Sequence, residues 1–97
     1  MPKMIKKANL LAPRDPFILD SLGWVHFRLG NQEEAEKALK AAYAISPDEE
    51  IGLHLLELLI TQGRTPDAEA ISAELKRKFP SSVKLKELSR KVSGNNL

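Results

Sequence analysis

The sequence predicts an all-α protein built from repeated helical hairpins, and three observations lead to this fold class. Apolar residues recur three or four positions apart, as in Leu55, Leu59 and Ile60. Helix-breaking residues return at a fixed interval, since Gly30 and Gly63 are 33 positions apart. Five aromatic residues and five glycines leave little material for β-structure. Each interval between the breaking residues is therefore predicted to hold one hairpin.

The breaking residues divide the chain into a short helical stub and five longer helices. The stub is predicted at about 3–11, and the helices near 16–29, 32–45, 49–62, 66–79 and 82–93. The short loops between them favour antiparallel packing of sequence neighbours.

Side chains suited to N-capping precede four of these helices. Asn31, with Glu34 three positions later, has the spacing of a capping box. Asp48 precedes an acidic first turn, and Thr65 stands before a proline. Ser82 or its neighbour Ser81 is the predicted cap of the last helix.

Length and composition exclude several classes of protein. A chain of 97 residues holds a single small domain, and the lack of cysteine excludes disulfides and thiolate metal sites. No apolar run approaches the ~18 residues of a membrane span, and no signal-type apolar stretch follows the basic start. We expect no membrane span. The predicted compartment is the cytoplasm for the chain as it stands, and the periplasm or envelope for a piece of a longer exported protein.

Charge is distributed unevenly along the chain. Residues 15–63 carry three lysines and arginines against nine acidic residues, whereas residues 64–97 carry eight against four. The middle of the chain therefore favours a basic ligand and the C-terminal part an anionic one.

Nine residues within one repeat length follow a known pattern, W-x2-L-G-x2-Y…A-x3-F…P. They are Leu19, Leu22, Gly23, His26, Gly30, Ala35, Leu39, Ala42 and Pro47. The chain thus resembles the tetratricopeptide repeat family, although Leu19 stands where Trp is preferred and His26 where Tyr is preferred. The stretch from Asp20 to Pro47 is also similar to the C-terminal repeats of bacterial cell-envelope tetratricopeptide lipoproteins.

The resemblance implies a right-handed solenoid of helical hairpins in one domain, 1–97. Its expected parts are the end of a preceding repeat (1–13), repeat one (16–49), repeat two (49–82), a capping helix (82–94) and a tail (95–97). Gly23 and Ala35 are small where the two helices of repeat one approach closely. Leu56 takes the small-residue position in repeat two, which predicts a wider or shifted helix pair there, or a compensating void opposite Gly52.

The resemblance also implies a binding surface, because the first helix of each tetratricopeptide repeat lines the concave wall. The implied partner-binding residues are Phe17, Asp20, Trp24, Phe27, Arg28, Glu50, His54 and Glu57. Acidic side chains around aromatic ones predict capture of a peptide that has apolar anchors and basic residues. The alternative is that Trp24 packs against the helix near 49–62 as a contact between repeats.

Other functions find less support in the residues. The family pattern places His26 inside the helix pair, and His54 with Glu57 is typical of a solvated pair, so we predict no enzyme, metal site or cofactor. The alternative function is weak binding of nucleic acid or an anionic surface through the basic C-terminal helices. Nucleic acid is the less favoured ligand, because helix C-termini prefer Lys and Arg and only Phe79 lies nearby to stack on bases.

The two ends of the repeat array differ in their predicted covering. The last helix is expected to act as a cap, with inward apolar residues at Val83, Leu85, Leu88 and Val92. At the other end, the face of the first long helix that carries Ile18, Val25 and Leu29 is only half covered by the stub. This predicts either a piece of a longer tetratricopeptide protein or a homodimer through that face.

Overall fold

The computed structural model describes residues 15–94, and this part of the chain contains five helices and no strand. They are α1 (Pro16–Arg28), α2 (Gln32–Ile45), α3 (Glu49–Thr61), α4 (Thr65–Lys78) and α5 (Val83–Gly94). Each begins and ends within one residue of its predicted position, so the all-α prediction is confirmed. The predicted stub and tail lie outside the described residues. No helix between residues 15 and 94 is both long and apolar enough to cross a membrane.

The helices fall into two compact units, divided between Pro47 and Asp48. The first unit holds α1 and α2, and the second holds α3, α4 and α5. This division lies within two residues of the predicted boundary between the repeats.

The α1–α2 hairpin of the first unit depends on one position without a side chain. A Cβ atom added at Gly23 would lie 2.8 Å from Cγ of Leu39, which is a separation that real Cβ atoms do not show. Leu39 is fully buried, as are Ala35 and Ala42 on the same helix. The close approach predicted at Gly23 is therefore confirmed, since only glycine leaves room for the leucine.

The second unit is a cluster of three mutually contacting helices with a leucine-rich interior. Its largest fully buried side chains are Ile51, Leu56, Leu58, Leu59, Leu75, Leu85 and Leu88. Leu56, which takes the position where repeat one has a small residue, is one of these fully buried side chains. The wider or shifted helix pair expected there stays a prediction.

The first helix of each unit ends in the same kind of turn. Gly30 has a φ of +87° and Gly63 a φ of +72°, values that side-chain-bearing residues rarely adopt. At the first turn, the Asn31 N–H donates to the His26 carbonyl at 2.8 Å, which closes a Schellman motif. The same hydrogen-bond pattern recurs at Gly63. The glycines that reveal the repeat in the sequence thus stop equivalent helices.

Two of the predicted N-caps are confirmed. The Asp48 carboxylate accepts from the Glu50 N–H at 3.0 Å, and the Ser82 hydroxyl accepts from the Leu85 N–H at 3.1 Å. A further cap lies before α1, where Asp15 accepts from the Phe17 N–H at 2.9 Å. An aspartate followed by a proline at the first helical position is a signal that the sequence already contains.

The other two predicted N-caps are wrong. Asn31 makes no side-chain cap to α2, and its amide nitrogen instead lies 3.3 Å from Nδ1 of His26. The helix α4 begins at Thr65 itself, so its N-cap residue is Arg64, whose guanidinium pairs with Asp67 at 2.6 Å. At both helix starts the side chain at the N-cap position therefore pairs with another side chain, His26 or Asp67, and does not cap the helix backbone.

The predicted inward orientation of Val83 is also wrong, because this side chain is 70% exposed. The buried residues of α5 are Leu85, Leu88 and Val92, spaced three and four positions apart. Val83 lies two positions before Leu85, and a two-position step turns a helix by about 200°. It therefore points away from the buried stripe.

Candidate functional site

A pair of aromatic rings forms the most distinctive surface feature of α1. The ring centroids of Trp24 and Phe27 are 5.0 Å apart and the ring planes are inclined by 39°. Both side chains are half-buried. Rings three positions apart on a helix meet side by side, and the contact restricts the rotamers of both. The pair offers a large apolar surface at low cost in conformational entropy.

Two exposed side chains extend this surface along the helix. Phe17 is 59% exposed in the first turn of α1, and Arg28 is exposed at its last residue. Phe17, Trp24 and Arg28 are separated by seven and four positions, which places them along one side of the helix. We call Phe17, Trp24, Phe27 and Arg28 the α1 stripe.

Asp20 lies between these residues in sequence but differs from them in exposure. Its side chain belongs to the small set of buried polar groups and is 7% exposed. Asp20 therefore offers little surface to a ligand, although it occupies the predicted position on α1. Helical spacing predicts the direction of a side chain and not the depth to which its neighbours bury it.

The remaining predicted site residues lie on α3, in the second unit. Glu50 is exposed, and His54 and Glu57 are half-buried. They follow one another at intervals of four and three positions, so α3 presents them on one face. This face carries two carboxylates, which gives it the acidic character expected of a surface for basic ligands.

A second apolar stripe runs along a different side of α1. Ile18, Leu22, Val25 and Leu29 are 45%, 44%, 54% and 70% exposed, at intervals of four, three and four positions. The sequence predicts incomplete covering for Ile18, Val25 and Leu29, and these three are exposed in the structure. Leu22, four positions after Ile18, is about as exposed as Ile18.

The chain is similar over 55 residues to a TPR repeat-containing protein of Pseudomonas aeruginosa, with 46% identity. The tetratricopeptide resemblance is confirmed. The matched segment is 57% of this chain and 9% of the length of the relative. No family model matches the chain. The tetratricopeptide relationship supports a general protein-interaction module.

Proposed function

We propose that this chain is a protein-interaction module that binds an extended or helical segment of a partner protein through the α1 stripe. The observation that carries the proposal is the contact of Trp24 with Phe27 on a helix whose two ends present exposed Phe17 and Arg28. The tetratricopeptide relationship supports it, because helical repeats of this kind present extended binding surfaces.

The composition of the stripe is that of a binding hot spot. Tryptophan, tyrosine and arginine dominate the residues whose truncation weakens protein interfaces. Covering one large apolar side chain contributes about 1.5–3 kcal/mol relative to leaving it in water. Phe17 and the half-buried ring pair together leave apolar surface on which apolar anchors of a ligand would gain this energy.

The acidic face of α3 favours a ligand that carries positive charge. Glu50 and Glu57 would attract lysine or arginine side chains of the bound segment, and Glu50 is the more exposed of the two. Under this proposal the ligand combines apolar anchors for the α1 stripe with basic residues for α3.

The test is selection of peptides from a displayed random library, followed by measurement of Kd from the fluorescence anisotropy of labelled peptides. Trp24→Ala should raise the Kd at least about tenfold, as loss of a hot-spot residue does. Phe17→Ala should raise it as well, and this exposed residue contributes little to folding. Far-ultraviolet circular dichroism should remain unchanged in Phe17→Ala.

Val83→Ala is the control, because Val83 is an apolar residue on α5 that is even more exposed than Phe17. Its Kd should equal that of the parent chain. The proposal is overturned when no peptide is selected, or when the selected peptides bind Phe17→Ala and Trp24→Ala as tightly as the parent chain.

A further inference from the structure

A groove between α4 and α5 combines positive charge with hydroxyl groups. It is a shallow depression, open to solvent, with a volume of about 580 Å³. Lys76 of α4 lines one side, and α5 contributes Lys86, Ser89, Arg90 and Ser93. The whole groove lies in the second unit and the α1 stripe in the first, so the binding of a ligand to the groove does not require the function proposed for the stripe.

A hydrogen bond joins the two helices at Ser89, one of the residues that line this groove. The hydroxyl oxygens of Ser72 on α4 and Ser89 on α5 are 2.7 Å apart. Ser72 is buried at 7% exposure. Because the bond joins α4 to α5 directly, the walls that carry the cations are held in place before any ligand arrives.

The groove cations have no acidic partner among residues 15–94. In the same unit, Arg64 pairs with Asp67 at 2.6 Å and Lys78 with Glu74 at 3.5 Å. Lys76, Lys86 and Arg90 form no ion pair within that part of the chain. Three like charges around one opening repel one another, and an anion bound there would relieve the repulsion.

The polar face of α5 is distinct from the face that packs. Its buried residues are Leu85, Leu88 and Val92, whereas the groove residues 86, 89, 90 and 93 follow one another at intervals of three, one and three positions. Such spacing places four side chains on one side of a helix. The helix therefore uses one side for the core and presents lysine, arginine and two serines on another.

We infer that this groove binds the phosphoryl group of a phosphorylated side chain in a partner polypeptide. A phosphomonoester carries about −1.5 to −2 charges and three acceptor oxygens, which matches three cations better than a single carboxylate does. The Arg90 guanidinium suits bidentate contact with phosphate oxygens, and the Ser93 hydroxyl can donate a further hydrogen bond. The lysines supply the remaining charge.

Two features favour a phosphorylated polypeptide over nucleic acid. Glu69 lines a neighbouring depression that shares three lining residues with the groove, and there it would repel the next phosphate of a nucleic acid strand. Phe79 is the single aromatic residue after position 47, and it lines a different depression beside Glu49 and Val83. The groove therefore lacks the aromatic surface on which bases stack.

The test is titration of the uniformly 15N-labelled chain in about 150 mM salt, followed through its amide resonances. The probe is N-acetyl-O-phosphoserine methylamide, and the expected result is saturable shifts at Ser89, Arg90 and Ser93. Separate titrations use the unphosphorylated serine compound, the corresponding glutamate compound, inorganic phosphate and a ten-residue oligothymidylate. Each of these should bind at least about tenfold more weakly, since each lacks the dianion, the peptide groups or both.

Arg90→Gln should raise the Kd of the phosphoserine compound about tenfold, because it removes a charge-assisted bidentate contact. Lys91→Gln removes the same charge from a neighbouring exposed position outside the groove, and it should change the Kd less than about twofold. The inference is overturned by equal effects of the two variants or by the absence of shifts at the groove residues. Equal or tighter binding of glutamate, inorganic phosphate or oligothymidylate also overturns it.

Discussion

At the scale of single residues, the two turn glycines have a role that contacts do not explain. A Cβ atom at Gly30 or Gly63 would meet no heavy atom within 4 Å, so space is not what these positions require. Both have positive φ, which an L-amino acid with a side chain adopts only at an energetic cost. The requirement for glycine lies in the backbone alone.

Gly30→Ala should therefore destabilise the chain by about 1–2 kcal/mol, the cost of placing a residue with a Cβ in the left-handed region. The measurement is urea unfolding followed by circular dichroism at 222 nm. Gly94→Ala is the control, because Gly94 also has open space around it but does not have positive φ. A free energy of unfolding for Gly30→Ala equal to that of Gly94→Ala would contradict the role assigned to the turn.

Asn31 and Asp20 show which features of single residues the sequence alone does not predict. Asn31 stands at a capping position with Glu34 three residues on, yet its side-chain amide lies against the His26 ring. The competing partner is five positions away and is brought close by the turn at Gly30, so a local capping pattern does not reveal it. Asp20 is similar, since its spacing predicts a side of α1 and its burial depends on the fold around it.

At the scale of elements, the hairpin of the first unit is held together by a fit between Gly23 of α1 and Leu39 of α2. The atom closest to a methyl group added at Gly23 would be Cγ of Leu39, a branch point in the middle of a fully buried side chain. Such an atom cannot turn aside without displacing its neighbours. The two helices would have to separate.

Gly23→Ala should consequently lower the free energy of unfolding by a net amount of about 1 kcal/mol. Overpacking of this kind costs about 1–3 kcal/mol. The higher helix propensity of alanine returns up to about 1 kcal/mol of that loss. Urea unfolding measures the net effect, and a Gly23→Ala chain more stable than its parent would show that propensity outweighs packing here.

The helices themselves were predictable because glycine, proline and capping residues interrupt the hydrophobic pattern at every boundary. Asp48, Ser82 and Gly63 each stand where a helix begins or ends in the structure. Orientation about the helix axis was less predictable at the ends. Val83, the first residue of α5, is apolar and yet 70% exposed, because its exposure depends on how the neighbouring helices pack, and the sequence pattern does not contain that information.

At the scale of the whole molecule, the charge pattern separates two kinds of surface. Residues 15–63 carry an excess of acidic groups and residues 64–97 an excess of basic ones. The α1 stripe and the carboxylates of α3 belong to the acidic stretch, whereas the α4–α5 groove belongs to the basic stretch. A module of this composition would attract basic and phosphorylated segments at different places.

Replacing Glu50 and Glu57 by glutamine should slow association of a selected basic peptide and weaken its dependence on salt. The reason is that surface carboxylates steer oppositely charged ligands over distances comparable to the Debye length. Stopped-flow measurements at about 50 and 500 mM salt give the two rates. Glu33→Gln with Glu34→Gln, two exposed acids of the first turn of α2, is the charge-matched control. If the two double variants slowed association equally, the carboxylates of α3 would have no specific role in attracting the peptide.

The most direct test of the central claim uses the single tryptophan of the chain. In a 1H–15N spectrum its indole N–H gives one resonance, which reports on Trp24 alone. Titration with a selected peptide should shift this resonance with the same Kd as the peptide's own anisotropy change. An indole resonance that stays in place while the peptide binds and other amides shift would contradict the assignment of the α1 stripe as the binding surface.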